Sequence, residues 1–202
     1  MRGLGAFYPD VRIELDYGTE FELLVAVVLS AQCTDRRVNL ITPALFARYR
    51  TVQDYAQLKP SALYPFVRSC GLYRNKAKAI VGAARAIVEH HRGVVPTRRT
   101  ELRALPGIGA KSAGVITLHL AGGEPAFPVD THVARLARRM GLSKQKVPDK
   151  IERDLQKLLP PTQWGIGHQL LVRHGRRICK ARSPGCEGCP VRELCPRVGV
   201  KP

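Results

Sequence analysis

The chain has 202 residues, 45% of them hydrophobic and 24% charged, and carries a formal net charge of +17. That is enough material for one or two small domains with real cores. Composition excludes a low-complexity or disulfide-stapled chain, and the charge calls for a polyanionic partner, nucleic acid before any other.

In chain order the pattern is helical almost throughout, and no segment sustains the alternation of a strand. The first sixteen residues are weakly patterned and are expected to pack across the C-terminal block. Phe21 to Ser30 is apolar nearly all round, which predicts a central buried helix. Its longest apolar run, Leu23 to Leu29, is too short to span a bilayer. Thr34-Asp35 supplies a cap for a helix reaching about Tyr49. Pro60 opens a short helix ending before Gly71, and Asn75 to His91 repeats Ala77, Ile80, Ala84 and Ile87 at helical spacing. Thr100 is expected to cap a short helix to Leu105, followed by a Gly-rich hairpin and a helix over 110–121. Gly122 to Pro128 is the clearest break. Beyond it, helices are expected over 130–140, 148–158 and 163–173, in a more basic block. Basic residues fall between apolar positions there, as in Arg135, Arg138 and Arg139, which suggests folded faces rather than a tail. Aromatics make up only 6% of the chain, so a base-stacking platform is not expected.

No N-terminal stretch has the layout of a secretory signal, so the six cysteines do not imply disulfides, and a cytoplasmic location is expected. Cys33 and Cys70 sit in apolar surroundings and read as buried free thiols. The other four, Cys179, Cys186, Cys189 and Cys195, follow a C-x6-C-x2-C-x5-C spacing within seventeen positions. They read as one tethered metal site. A four-iron cluster and structural zinc both answer to it, although zinc favours paired C-x2-C knuckles and only one pair has that spacing.

Leu105-Pro106-Gly107-Ile108-Gly109 joins two short helices. Its glycines allow a tight turn and close approach to a ligand, and the amides of Gly107 and Gly109 open the next helix, where a phosphate oxygen is well received. Lys111 follows in the first turn. The positive end of a helix dipole opposes an ammonium charge, and a freed amine can attack a sugar carbon to form a Schiff base. The plainer reading is a phosphate-binding lysine. Asp130, in Val129-Asp130-Thr131-His132, reads as a helix N-cap. A carboxylate there can also accept a proton from the lysine and stabilise positive charge on a deoxyribose ring.

The order L-P-G-I-G-A-K, a Gly/Pro loop, V-D-T-H, then C-x6-C-x2-C-x5-C resembles the helix-hairpin-helix DNA glycosylases. Leu29-Ser30-Ala31-Gln32-Cys33-Thr34-Asp35 and Gly71-Leu72-Tyr73 are similar to family segments, and the likeness runs from about Phe21 through Cys195. It implies an all-α, two-lobed fold. Residues 18–123 would form a six-helix barrel domain containing the hairpin, and 1–17 with 124–202 a discontinuous iron–sulfur domain, with the DNA cleft between them. It further implies a monomeric base-excision enzyme removing oxidised or ring-saturated pyrimidines from duplex DNA and cutting at the resulting abasic site. Lys111 would displace the base, form the imine and permit β-elimination, with Asp130 supporting it. The damaged nucleotide is extruded for this chemistry. Gln32 would fill the gap it leaves and Leu72 would wedge the duplex. Their ordinary readings are a polar helix end and a core leucine. His132 falls near the site as a DNA contact or a structural hydrogen-bonding residue. The four cysteines would hold a [4Fe–4S] cluster that orders a loop bringing Lys180 and Arg182 to DNA phosphates.

The resemblance departs at the start, where few residues precede Tyr8-Pro9. Within the same superfamily, a mismatch-specific glycosylase is disfavoured by Lys111, whereas a pyrimidine-dimer glycosylase would share both catalytic residues. From another class, a non-catalytic DNA-binding iron–sulfur protein would have no need of the Lys111–Asp130 pair.

Overall fold

The computed structural model describes residues 1–200. Among them there are helices and loops and no strand, as the missing alternation predicts. The chain divides into two compact units, one formed by residues 14–124 and the other by 1–13 with 125–202.

Unit 14–124 is built around α2 (Glu20–Ser30). Thr19 starts it with a capping box: its hydroxyl accepts the amide of Glu22 at 3.2 Å, and the Glu22 carboxylate accepts the amide of Thr19 at 3.1 Å. Every side chain from Leu23 to Leu29 is buried, as an all-round apolar helix requires. Around it lie α3 (Asp35–Arg48), α6 (Tyr73–His91) and α8 (Ala110–His119). Thr34 caps α3 as expected, accepting the amide of Arg37. The apolar stripe of α6 buries Ala77, Ile80, Ala84 and Ile87. Burial of each of the two isoleucines contributes about 1.5–3 kcal/mol, and of each alanine methyl less.

Three local expectations need correction. A helix not foreseen, α4 (Val52–Gln57), is started by a second capping box in which Thr51 and Asp54 exchange bonds. The amides of Thr51 and Arg50, each donating to it at 2.9 Å, hold the Asp54 carboxyl below its usual range. The segment from Pro60 to Cys70 is not one helix but α5 (Tyr64–Val67) flanked by two 3₁₀ turns. Thr100 is not a cap: α7 (Arg99–Ala104) begins one residue earlier, and the Glu124 carboxylate reaches across to accept the Arg99 amide at 2.8 Å. That distant carboxylate does what a local hydroxyl was expected to do.

The second unit contains α1 (Arg2–Phe7), α9 (Thr131–Arg139), α10 (Pro148–Leu158) and α11 (Trp164–Arg177). Leu4 and Tyr8 enter its core beside Phe127, Leu136, Leu155 and Leu171, so residues 1–13 pack on the C-terminal block as expected. They do so as a helix, which weak patterning had concealed. Residues 14–16 instead fall in the other unit, where Asn39 bonds to Glu14 and Asp16. Helix α11 continues four residues past the expected Arg173 because His168, Leu171, Val172 and Gly175 keep one face buried.

Candidate functional site

The hairpin between α7 and α8 is anchored by two buried side chains, Leu105 and Ile108, and the Ile108 amide bonds back to the Leu105 carbonyl at 3.2 Å. Its two glycines have different reasons. Gly107 has φ +79°, and a Cβ there would lie 2.3 Å from the Cβ of Ala79 on α6. The fold itself requires that glycine. Gly109 has an ordinary extended backbone, and a Cβ built on it meets nothing within 4 Å. No packing demand explains Gly109, and the space beside it lies at the α8 N-terminus, where first-turn amides lack helical acceptors. Lys111 follows in that turn with its side chain exposed.

Asp130 caps α9, its Oδ1 accepting the Val133 amide at 2.8 Å. It is half-buried, and one oxygen suffices for the cap. His132 lies in the first turn of α9 and is half-buried. Burial pushes its imidazole down, and its Nδ1 sits 3.0 Å from Arg135 Nη2.

Gln32 and Leu72 share a peculiarity that composition could not reveal. Both are non-glycine residues in the left-handed region, at φ +54° and +45°, and both are exposed. Leu72 is 57% exposed, so it is not a core leucine. A leucine held left-handed with its side chain in solvent is costly and calls for a reason. Nearby, Cys70 is buried as expected, with its thiol pushed up to about 11 mainly by burial, whereas Cys33 is only half-buried.

The four C-terminal cysteines do come together. Cys179, Cys186, Cys189 and Cys195 line one pocket with Met140, Ile178 and Val191. Backbone turns shape it: the Gly185 amide returns to Ile178 at 2.9 Å, Cys189 to Cys186 at 3.3 Å and Cys195 to Arg192 at 3.2 Å. A single tetrahedral zinc would draw four sulfurs to about 3.8 Å of one another. Among the described residues, no three Cys, His, Asp or Glu side chains converge closely enough to hold one ion. Four thiols spaced around a volume suit a cluster in which each binds a different iron.

Three partners of this loop escaped the sequence. Arg139 is buried, donating through Nη1 to the Lys180 carbonyl at 2.6 Å and to Cys179 Sγ at 3.4 Å, and through Nη2 to the Ala181 carbonyl at 2.7 Å. Arg135 donates Nε to the Cys179 carbonyl at 3.1 Å and Nη2 to the Gly175 carbonyl at 2.8 Å. Of the three arginines read as part of a folded basic face, only Arg138 is exposed. The third partner is His174, fully buried, with Nδ1 3.1 Å from the Tyr8 hydroxyl and Nε2 3.4 Å from Cys189 Sγ. The i, i+4 spacing of Arg135 and Arg139 was the available signal, but charge count alone assigned it to solvent. Lys180 and Arg182 project from the loop so fastened, and both are exposed.

A glycine hairpin leading into a lysine-bearing helix, with a cap-forming aspartate and a four-cysteine pocket, defines a class. Residues 25–161 match the HhH-GPD superfamily base excision DNA repair proteins, and residues 179–195 match the iron–sulfur binding domain of endonuclease III. The chain belongs to the HhH-GPD superfamily, in its endonuclease III branch. It is 47% identical to Endonuclease III of Synechocystis sp. across 96% of this chain and 88% of that one. For Endonuclease III of Bacillus subtilis the identity is 43%, covering 98% of this chain and 90% of the relative. The structure of a trapped Endonuclease III–DNA covalent intermediate superposes with a TM-score of 0.91 at 42% identity, covering 97% of this chain and 92% of that one. A thermostable thymine-DNA glycosylase has the same fold, at a TM-score of 0.86 and 21% identity over 97% of this chain and 93% of that one. No helix among the described residues is long and apolar enough to cross a membrane.

Proposed function

We propose that this chain excises oxidised or ring-saturated pyrimidines from duplex DNA and cleaves the strand through Lys111 and Asp130, within residues 18–123 and the discontinuous 1–17 and 124–202 respectively. A base excision glycosylase with lyase activity is the function of its branch. The Lys111 amine attacks C1′ of the extruded nucleotide as the C1′–N bond breaks and the base departs with a proton. The C1′–O4′ bond then breaks, O4′ taking up a proton, and the opened sugar is held as an iminium that acidifies C2′. Loss of the C2′ proton expels the 3′ oxygen, cutting the strand 3′ to the lesion. Asp130 accepts the proton that Lys111 must lose and offsets positive charge developing on the sugar.

Gly107 and Gly109 present the α8 amides to a backbone phosphate. Gln32 and Leu72 enter the duplex, and His132, at the start of α9, has a DNA-binding role. Cys179, Cys186, Cys189 and Cys195 hold the [4Fe–4S] cluster. The cluster supplies a covalent cross-link that orders its loop, and Lys180 and Arg182 meet phosphates from it. The enzyme works as a monomer in the bacterial cytoplasm, at the nucleoid.

One observation carries this reading. Lys111 stands exposed in the first turn of α8, directly after a glycine whose missing Cβ serves no packing need. A panel of duplexes containing thymine glycol, dihydrouracil, an abasic site or a cyclobutane dimer tests it. Release of the first two bases with strand cutting is expected. Activity on the dimer alone would transfer the chain to a dimer-specific glycosylase, and binding without release on every duplex would make it non-catalytic.

A further inference from the structure

Lys76 is an unusual residue for the interior. It lies in the first turn of α6 and is only 5% exposed. Burial disfavours its charged form and pushes its pKa down. Its Nζ donates to the Leu29 carbonyl at 2.8 Å and, by a shorter bond, to the Cys70 carbonyl. These acceptors sit at chain ends. Leu29 is in the last turn of α2, and the Cys33 amide that would continue the helix turns instead to Ser30 at 3.1 Å. Cys70 closes a 3₁₀ turn and is followed by Gly71 and Leu72, both at positive φ.

Each carbonyl lies just ahead of a strained residue. Gln32 is three residues beyond Leu29 and Leu72 two beyond Cys70. Of the four non-glycine residues at positive φ among the described residues, these are the two that closely follow a carbonyl bound by Lys76. Each such conformation is costly and persists only where surrounding structure enforces it. A buried ammonium bonded to both loops is an enforcing contact, since charge-assisted bonds of this kind are roughly twice as strong as neutral ones.

We propose that Lys76 is a positioning residue: its ammonium ties the Leu29 and Cys70 carbonyls together and so fixes Gln32 and Leu72 at the spacing at which both side chains enter the duplex. The inference rests on the reading of Gln32 and Leu72 given above. Lys76 touches neither DNA nor the reacting sugar. Losing the tie lets the two loops drift apart, and displacements near 1 Å at a reacting site cost up to about 100-fold.

The test is a thermodynamic cycle on the cluster-loaded enzyme. Lys76→Met is measured in the wild-type background and in Gln32→Ala/Leu72→Ala, each by single-turnover release of thymine glycol from a duplex. Folding is followed by the thermal melt. Borohydride trapping on a single-stranded oligonucleotide with an abasic site runs in parallel, because no duplex has to be opened there. The expected result is a loss of about 10- to 100-fold on the duplex in the wild-type background. In the double-alanine background the further loss should be less than about threefold, with trapping on the single strand retained and Lys76→Arg recovering part of the duplex rate. An equal loss in both backgrounds, or an equal loss on duplex and single strand, overturns the proposal, because that is what general destabilisation does. If Gln32→Ala/Leu72→Ala is itself as active as wild type, the wedge reading fails and the proposal falls with it. Should Lys76→Met not fold, Lys76→Gln, which keeps an amide donor, replaces it in the same cycle.

Discussion

Asp130 has two jobs in this account, and substitutions can separate them. Its Oδ1 accepts the Val133 amide at 2.8 Å, a bond of full strength, and Val133 is completely buried. Asp130→Ala therefore strands an amide that water cannot easily reach, at a cost of about 1–2 kcal/mol. For a chain of this size each 1 kcal/mol lowers Tm by about 2–4 °C. Asp130→Asn keeps an oxygen acceptor of the same reach, and asparagine is as good an N-cap as aspartate, so its Tm should fall by only a degree or so. It cannot accept a proton or carry negative charge. Both variants should then lose turnover alike, by about 100-fold or more. The assay pairs a thermal melt with single-turnover excision on a thymine glycol duplex. The reasoning is refuted if Asp130→Asn turns over like wild type, or if activity across the three proteins simply follows Tm.

Further expectations concern the hairpin, the charge and the pH response. Gly107→Ala should destabilise severely, because the new Cβ would meet Ala79 at 2.3 Å and the backbone is left-handed, whereas Gly109→Ala should fold normally and bind duplex more weakly; equal behaviour of the two in melting and binding would contradict the division. With about 4 phosphates contacted, the logarithm of the association constant should fall against log salt with a slope near −3.6, and a flat titration would argue against a phosphate-reading surface. His119 is held below its ordinary pKa by burial. The unfolded chain thus takes up the proton first, so the stability due to a neutral His119 is complete above about pH 6.5 and is lost as pH falls through the folded-state value. His119→Gln should flatten the fall in Tm between pH 6.5 and 5, and an unchanged slope would remove His119 from the acid response.

The helices that carry the chemistry were legible because their signals are local. Thr34, Asp130 and the all-round apolar Phe21–Ser30 act within a turn of themselves, and α3, α9 and α2 begin or lie where those residues direct. Thr100 misled because the acceptor for the α7 amides comes from Glu124, twenty-five positions away. Arg135 and Arg139 misled for the opposite reason: their charge was visible but their acceptors, the carbonyls of a loop some forty positions on, were not. The left-handed backbones of Gln32 and Leu72 and the buried Lys76 between their loops have no signature in composition or period. Non-glycine strain is a tertiary property, and only the assembled unit shows what enforces it. The cysteine spacing announced a metal site but left zinc and iron open, and the match of residues 179–195 to the iron–sulfur binding domain of endonuclease III decides for the cluster.

The central claim is that Lys111 becomes covalently attached to the sugar. Sodium borohydride reduces the Schiff base to a stable amine, so wild-type protein incubated with an abasic-site or thymine glycol duplex should give a cross-linked species that mass spectrometry places on Lys111. Lys111→Ala, still folded and still carrying its cluster absorbance, should give none. Cross-linking of Lys111→Ala at the wild-type level, or attachment at another residue in wild type, would contradict the account.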